Sequence, residues 1–296
     1  MPRQALDWGL RYLMCPPTHY RVEYGINPWM THATPVDMGR ATREWHGIVA
    51  AIEAAGGTVA TVDAHPALPD MVFTANAGIV RADMFIPARM RFPQRQAEPA
   101  LVATWAEAQG LGVHEIGVGT FEGTGDALPF REVLVAGVGP RSSPDAWPAI
   151  ADVVGSDILT LSLPDPRFYH VDLVFCPLDS HSALISPLGI APDALAELCR
   201  LVPDPILLTD DESLAFAANA VVVNGTVLSP HLSRRLEDEL AARGLAGRQL
   251  EVSEFIKAGG AIRCLSLPLD IRSGRSAHRS PEDRTDRTET ELRRSA

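Results

Sequence analysis

Five polar or reactive residues recur along the 296-residue chain at near-constant spacing, each at the head of an apolar, strand-like run. They are Asn76 (NAGIV), Asp126 (DALPF, then EVLVAGV), Asp172 (DLVFCPL), Asn219 (NAVVV) and Cys264 (CLSLPL), separated by 50, 46, 47 and 45 positions. Such a period marks a repeat architecture, in which each unit buries its apolar face only against its neighbours. Between these residues, strand-like runs alternate with helical ones. Residues 36–55 place apolar or small side chains at helical spacing and end at Gly56-Gly57, a helix stop, before the strand-like TVATVDA. Further helices are predicted over 99–109, 144–154, 192–201 and 232–243, so each unit reads strand, polar turn, strand, helix, strand. The pattern predicts an α/β fold of propeller shape, with helices outside and the five polar positions converging on the axis.

Composition bounds the function. With 46% hydrophobic residues the chain can bury a large core, and the period running almost to the C-terminus predicts one domain over 1–272. The last stretch, 273–296, is polar and nearly free of large apolar residues, so it reads as a disordered tail. A formal net charge of -11 argues against nucleic acid or an anionic membrane as the main partner and suits a small cationic substrate. The N-terminal stretch lacks a secretory pattern and no run is long and apolar enough to span a bilayer, so a cytoplasmic protein is expected. Four widely spaced cysteines form neither a CxxC pair nor a zinc-ligand pattern, so neither metal nor disulfide is expected. Lys257 is the sole lysine, which leaves Schiff-base chemistry one candidate, and no cofactor is expected.

Cys264 follows the glycine turn of FIKAGGAIRC, which permits close backbone approach to a ligand. A buried free cysteine is more often a small hydrophobe, and Cys15, Cys176 and Cys199 read that way. His170 and Asp172 form HVD, and on a strand both would share one face and address one ligand. Glu122 and Asp126 flank the bend of FEGTGDAL, where a solvated glycine turn is the plainer reading.

Together these segments resemble the pentein superfamily of guanidine-modifying enzymes: an E/D-G-x-G-D turn, a later histidine and a C-terminal cysteine occur in that order over about residues 10–272. The resemblance implies a five-bladed α/β propeller of ββαβ-type repeats. It implies Cys264 as nucleophile, His170 as general acid/base and Glu122 as the carboxylate that holds the guanidinium and orients His170. Substrate contacts fall by resemblance on Asn76 and Asp172 as guanidinium acceptors, with Asp126 beside them, and on Phe73 as a packing wall. Arg89 and Arg141 are implied as holders of the α-carboxylate, for which an arginine fork is suited. Deiminases and dimethylarginine hydrolases carry Asp where this chain has Asn76.

The branch that this chain resembles most is the arginine dihydrolases, through YGINPWM, PDMVFTANAG, FEGTGDAL, RFYHVD and FIKAGGA..C. That likeness adds Asn27 and Ala258 to the site. It implies a small-molecule substrate, L-arginine or a close guanidino analogue, converted to ornithine, CO2 and two ammonia. Homo-oligomerisation is compatible with it, and any onward conversion of ornithine is expected to need another protein. The alternatives are an arginine deiminase or dimethylarginine dimethylaminohydrolase that releases citrulline, an amidinotransferase, and an inactive arginine-binding protein.

Overall fold

A computed structural model describes residues 4–31 and 35–272, so the expected polar tail, 273–296, lies outside the described residues. Five three-stranded sheets carry the fold, each with one antiparallel and one parallel pair. One sheet joins the two ends of the described chain: β1 (Arg11–Met14) runs antiparallel to β15 (Leu267–Pro268) and parallel to β2 (Thr58–Thr61), which it reaches through α1 (Met38–Ala54). The next comprises β3 (Gly78–Arg81), β4 (Met84–Pro87), α2 (Glu98–Ala108) and β5 (Gly112–Val113). It is followed by β6 (Ala127–Phe130), β7 (Val133–Val138), α3 (Ala146–Val154) and β8 (Asp157–Ser162). The fourth is β9 (Phe175–Pro177), β10 (Ser182–Ile185), α4 (Pro192–Leu201) and β11 (Asp204–Leu207). After the short α5 (Asp210–Leu214) come β12 (Val221–Val223), β13 (Thr226–Ser229), α6 (Arg234–Ala242) and β14 (Ala246–Gln249), then α7 (Ser253–Ile256). These are the expected ββαβ repeats of a five-bladed propeller, the first blade being shared between the two ends.

Burial explains why the repeats read as they do. The first strand of the hairpin is buried along its whole length in β3, β6, β9 and β12, which is why those segments, apart from Arg81 at the end of β3, are continuous apolar runs rather than alternating ones. The third strand lies further out, and β14 is exposed throughout. Helix limits follow local chemistry. Asp37 accepts from the Arg40 amide and Ser233 from the Leu236 amide, which start α1 and α6 two residues inside the predicted spans, and Gly155 stops α3 at φ 63°. The polar repeat residues sit just before the inner strands, in tight turns such as Thr74–Ala77 and Val171–Leu173. Among the described residues no helix is long and apolar enough to cross a membrane.

Candidate active site

Three of the five repeat residues are in direct contact. Cys264 Sγ lies 3.2 Å from Asp172 Oδ2 and receives a hydrogen bond from Asn219 Nδ2 at 3.1 Å, while Asn219 also donates to the Asp172 carbonyl. The other two gather round His170. Its Nε2 is 2.8 Å from Glu122 Oε2 and 3.9 Å from Asp126 Oδ2, and its Nδ1 is 3.4 Å from Asn76 Nδ2. The HVD segment is not a strand, contrary to the sequence expectation. His170 is extended and caps the tight turn Val171–Leu173, so Asp172 belongs to that turn, ahead of β9.

Glu122 is fully buried and held on several sides. Arg141 Nη1 donates to its Oε2 at 2.7 Å and the Arg91 amide to its Oε1. Arg141 stacks between Phe92 and Tyr169, at 4.8 and 4.5 Å from the ring centres, and gives a further bond to the Ile26 carbonyl. Asp126 accepts from the Ser142 hydroxyl. Behind Asn76 stands Arg95, which donates to Asn76 Oδ1 at 2.9 Å and pairs with Glu98 at 2.7 Å.

These groups adjoin a small cavity of about 10 Å³ whose wall includes Asn27, Phe73, Asn76, Arg95, Arg141 and Cys264. The Asn27 amide is already engaged: Oδ1 accepts from the Trp29 and Met30 amides, and Nδ2 donates to the Ala258 carbonyl. It therefore closes a turn, the plainer task for an asparagine, and lines the pocket as well. Two glycines let the walls meet. A Cβ at Gly125 would fall 2.2 Å from Asn76 Nδ2, and one at Gly260 would fall 2.4 Å from the Phe73 ring.

Burial sets the protonation pattern. It pushes the Cys264 thiol well above the usual range, helped by Asp172, and raises Asp172 itself to about 7. Burial lowers His170 to about 4 against the opposing bond to Glu122. Glu122 is also pressed upward by burial, but Arg141 and His170 outweigh this and hold it below the ordinary carboxylate range. The resting site thus contains an ionised Glu122, a neutral imidazole and a neutral thiol that donates to Asp172. With Nε2–H donating to Glu122, Nδ1 is the nitrogen left to accept, and it faces Asn76 on the pocket wall. Among the described residues no cluster of three or more His, Cys, Asp or Glu is arranged to hold a metal.

Of the residues singled out from sequence, Arg89 does not join the others. It is exposed, its backbone bridges to Phe121, and Nε donates to the Gly119 carbonyl. Arg141 does reach the pocket, but its guanidinium is paired with Glu122. Sequence reading passed over Arg95, which lies six residues beyond Arg89 where the turn Pro93–Arg95 brings the chain back inward. Its partner three positions on, Glu98, was the available clue to a buried pair. Asn219 was visible as a repeat position but had no role attached to it.

No family model matches the chain. The bifunctional arginine dihydrolase/ornithine cyclodeaminase ArgZ of Synechocystis is 38% identical over 266 residues, covering 87% of this chain and 37% of that protein, so the chain spans just over a third of this relative's length. The N(G),N(G)-dimethylarginine dimethylaminohydrolase of Mycobacterium tuberculosis is 34% identical over 262 residues, covering 88% of this chain and 85% of that protein. In solved structures, the N-terminal domain of ArgZ, a mutant bound to substrate, superposes with a TM-score of 0.86 at 36% identity, over 88% of this chain and 98% of that one. With the repeat, the ββαβ blades and the Cys–His–carboxylate centre, these likenesses show that the chain belongs to the pentein superfamily of guanidine-modifying enzymes.

Proposed function

We propose that the protein is a cysteine-dependent hydrolase of linear amidines and acts on L-arginine as a dihydrolase, giving ornithine, CO2 and two ammonia. The observation that carries this reading is the pairing of Cys264 with Asp172 at 3.2 Å beside a pocket whose wall holds Asn76 and two arginines. Asp172 has one oxygen with no hydrogen-bond partner, suited to a guanidinium N–H. The relatives' names support the substrate: one structure holds the ArgZ domain with substrate, another holds it covalently bonded to a reaction intermediate.

The chemistry follows from the resting protonation. The bound guanidinium offsets the charge of Asp172, and the thiol proton passes to neutral His170. The thiolate attacks the guanidinium carbon, forming the C–S bond. The imidazolium returns its proton to the leaving nitrogen, which departs as ammonia and leaves a thiouronium. His170 then takes a proton from water, the resulting hydroxide forms the C–O bond, and the C–S bond breaks to release the cysteine and a ureido group. In the second round the ureido carbon is attacked, the second ammonia leaves, and water converts the thiocarbamate to a carbamate that loses CO2. Asn76 suits both rounds, because an amide can accept from an N–H and donate to a ureido oxygen, which a carboxylate cannot. Arg141, Arg95 or both meet the carboxylate end, and Phe73 and Ala258 shape the wall.

We assign the reaction to the cytoplasm, a reading supported by four unpaired cysteines. Quantifying ammonia, citrulline and ornithine in one time course tests the function: two ammonia and one ornithine per arginine are expected. One ammonia with stoichiometric citrulline would make the protein a deiminase, and ornithine formed only with an added amine acceptor would make it an amidinotransferase. The dimethylarginine relative motivates running the same assay on dimethylarginine, where faster turnover than on arginine would overturn the substrate assignment.

A further inference from the structure

We propose that Asn219 is a catalytic residue whose side-chain amide hydrogen-bonds the Cys264 sulfur and stabilises it as the thiolate. This rests on Cys264 being the nucleophile. The reaction above gives Asn219 no task, yet its side chain is fully buried against the reacting atom.

The surroundings fix which way this amide faces. Its Oδ1 accepts from the backbone amides of Arg263 and Cys264, at 3.1 and 3.3 Å. A flipped amide would set its NH2 against two N–H donors, so the NH2 must point to the other side. There it meets the Cys264 sulfur and the Asp172 carbonyl, both at 3.1 Å, one hydrogen for each. The sulfur is therefore bracketed between a fixed donor, Asn219 Nδ2, and an acceptor, Asp172 Oδ2 at 3.2 Å.

The two neighbours pull in opposite directions. A hydrogen bond to an ionised sulfur is stronger than one to a neutral thiol, so the amide favours loss of the proton. Asp172 and burial oppose it. When a guanidinium settles on Asp172, the opposing charge is compensated and the amide's preference remains. Losing the S–H proton to His170 leaves the electron pair on sulfur, where the Asn219 donor already points, so no reorientation is needed at the moment of attack. Tyr169, Asp70, Arg95 and Arg141 are the other titratable or charged groups of the pocket wall. Arg263, next in the chain, turns away, with Nε donating to the Ala220 carbonyl and its guanidinium lying over Trp8.

The test is the pH profile of Cys264 alkylation by iodoacetamide in the unliganded full chain, read by mass spectrometry, together with steady-state kinetics on arginine. Asn219→Asp keeps the shape and the acceptor for the two backbone amides but replaces the donor with a charge. It should move the alkylation midpoint up by about one pH unit or more and lower kcat/KM by about 10²-fold with KM changed less than about threefold. Asn219→Ala should move the midpoint in the same direction, by less. An unchanged midpoint in a folded Asn219→Asp protein would show a purely structural role and overturn the proposal. Asp172→Asn supplies an independent reading, because it leaves the Asn219 donor in place and removes the opposing charge. Its midpoint should fall below the wild type's by about one pH unit or more, and a midpoint equal to or above the wild type's would also overturn the proposal. Alkylation requires no turnover. Shifted profiles in a protein that releases no ammonia from arginine would sink the proposed reaction and still support the donor role of Asn219.

Discussion

Arg95 donates from Nη1 to Asn76 Oδ1 at 2.9 Å, and this bond turns the Asn76 NH2 toward His170 Nδ1. An arginine outside the reacting atoms therefore orients both the amide and the tautomer of the acid/base. Replacing Asn76 by Asp would keep the Arg95 contact and remove the donor. The new carboxylate would favour the imidazolium and hold a guanidinium more tightly than a neutral ureido group. Asn76→Asp is expected to shift the product from ornithine toward free citrulline while arginine is still consumed, as measured by product ratios at equal conversion. An unchanged ornithine yield would reject the role given to this amide.

Arg95 and Arg89 offer a matched contrast. Arg95 is buried and pairs with Glu98 through three short bonds, so Arg95→Met strands a buried carboxylate, which typically costs about 3–5 kcal/mol. Activity should be lost with it. Arg89 is exposed, and Arg89→Ala should change stability by no more than about 0.5 kcal/mol and kcat/KM by less than about twofold. A large rise in KM for Arg89→Ala would restore the carboxylate-binding role that the sequence suggested for it.

The period was legible because each blade repeats one burial problem: the residue before a fully buried inner strand faces the axis, whatever its chemistry. Spacing alone therefore places Asn76, Asp126, Asp172, Asn219 and Cys264 on one centre. What spacing could not convey is local turn geometry. Residues two apart in HVD were expected on one strand face, yet the turn Val171–Leu173 brings His170 and Asp172 to the centre by another route. The place of Arg95 at the pocket has no signature in the sequence for the same reason, since only the turn Pro93–Arg95 sends it inward. Asn27 closes its turn through local bonds from Trp29 and Met30, but its bond to the Ala258 carbonyl joins positions 231 apart along the chain and leaves no local pattern.

Asp172 should cost stability at neutral pH. Burial raises its carboxyl from 3.8 to about 7, so between those values the folded chain binds a proton that the unfolded chain releases. Stability from this group is present below the unfolded value and is lost as pH rises toward 7. His170, lowered from 6.5 to about 4, has the opposite slope between those values, so the wild-type profile alone does not isolate Asp172. The difference between Asp172→Asn and wild type does. Asp172→Asn should be inactive yet more stable by about 2 kcal/mol near pH 8, a gap that closes toward about pH 4. Thermal unfolding at the two pH values measures it, and an equal offset at both would contradict the assignment.

The pocket wall can be moved without touching any polar group. A Cβ at Gly260 would fall 2.4 Å from the Phe73 ring, and that ring is packed edge-on against Tyr20 and Phe255. Retreat is blocked, so Gly260→Ala should push the ring toward the cavity that both residues line. Overpacking of this kind costs about 1–3 kcal/mol, and KM for arginine should rise by about tenfold or more. Gly47 is the control. It lies within α1 with nothing within 4 Å of an added Cβ, so Gly47→Ala should stabilise by about 1 kcal/mol through helix propensity and leave KM unchanged. Gly260→Ala with wild-type KM would mean that neither the Phe73 ring nor the Gly260 backbone bounds the substrate.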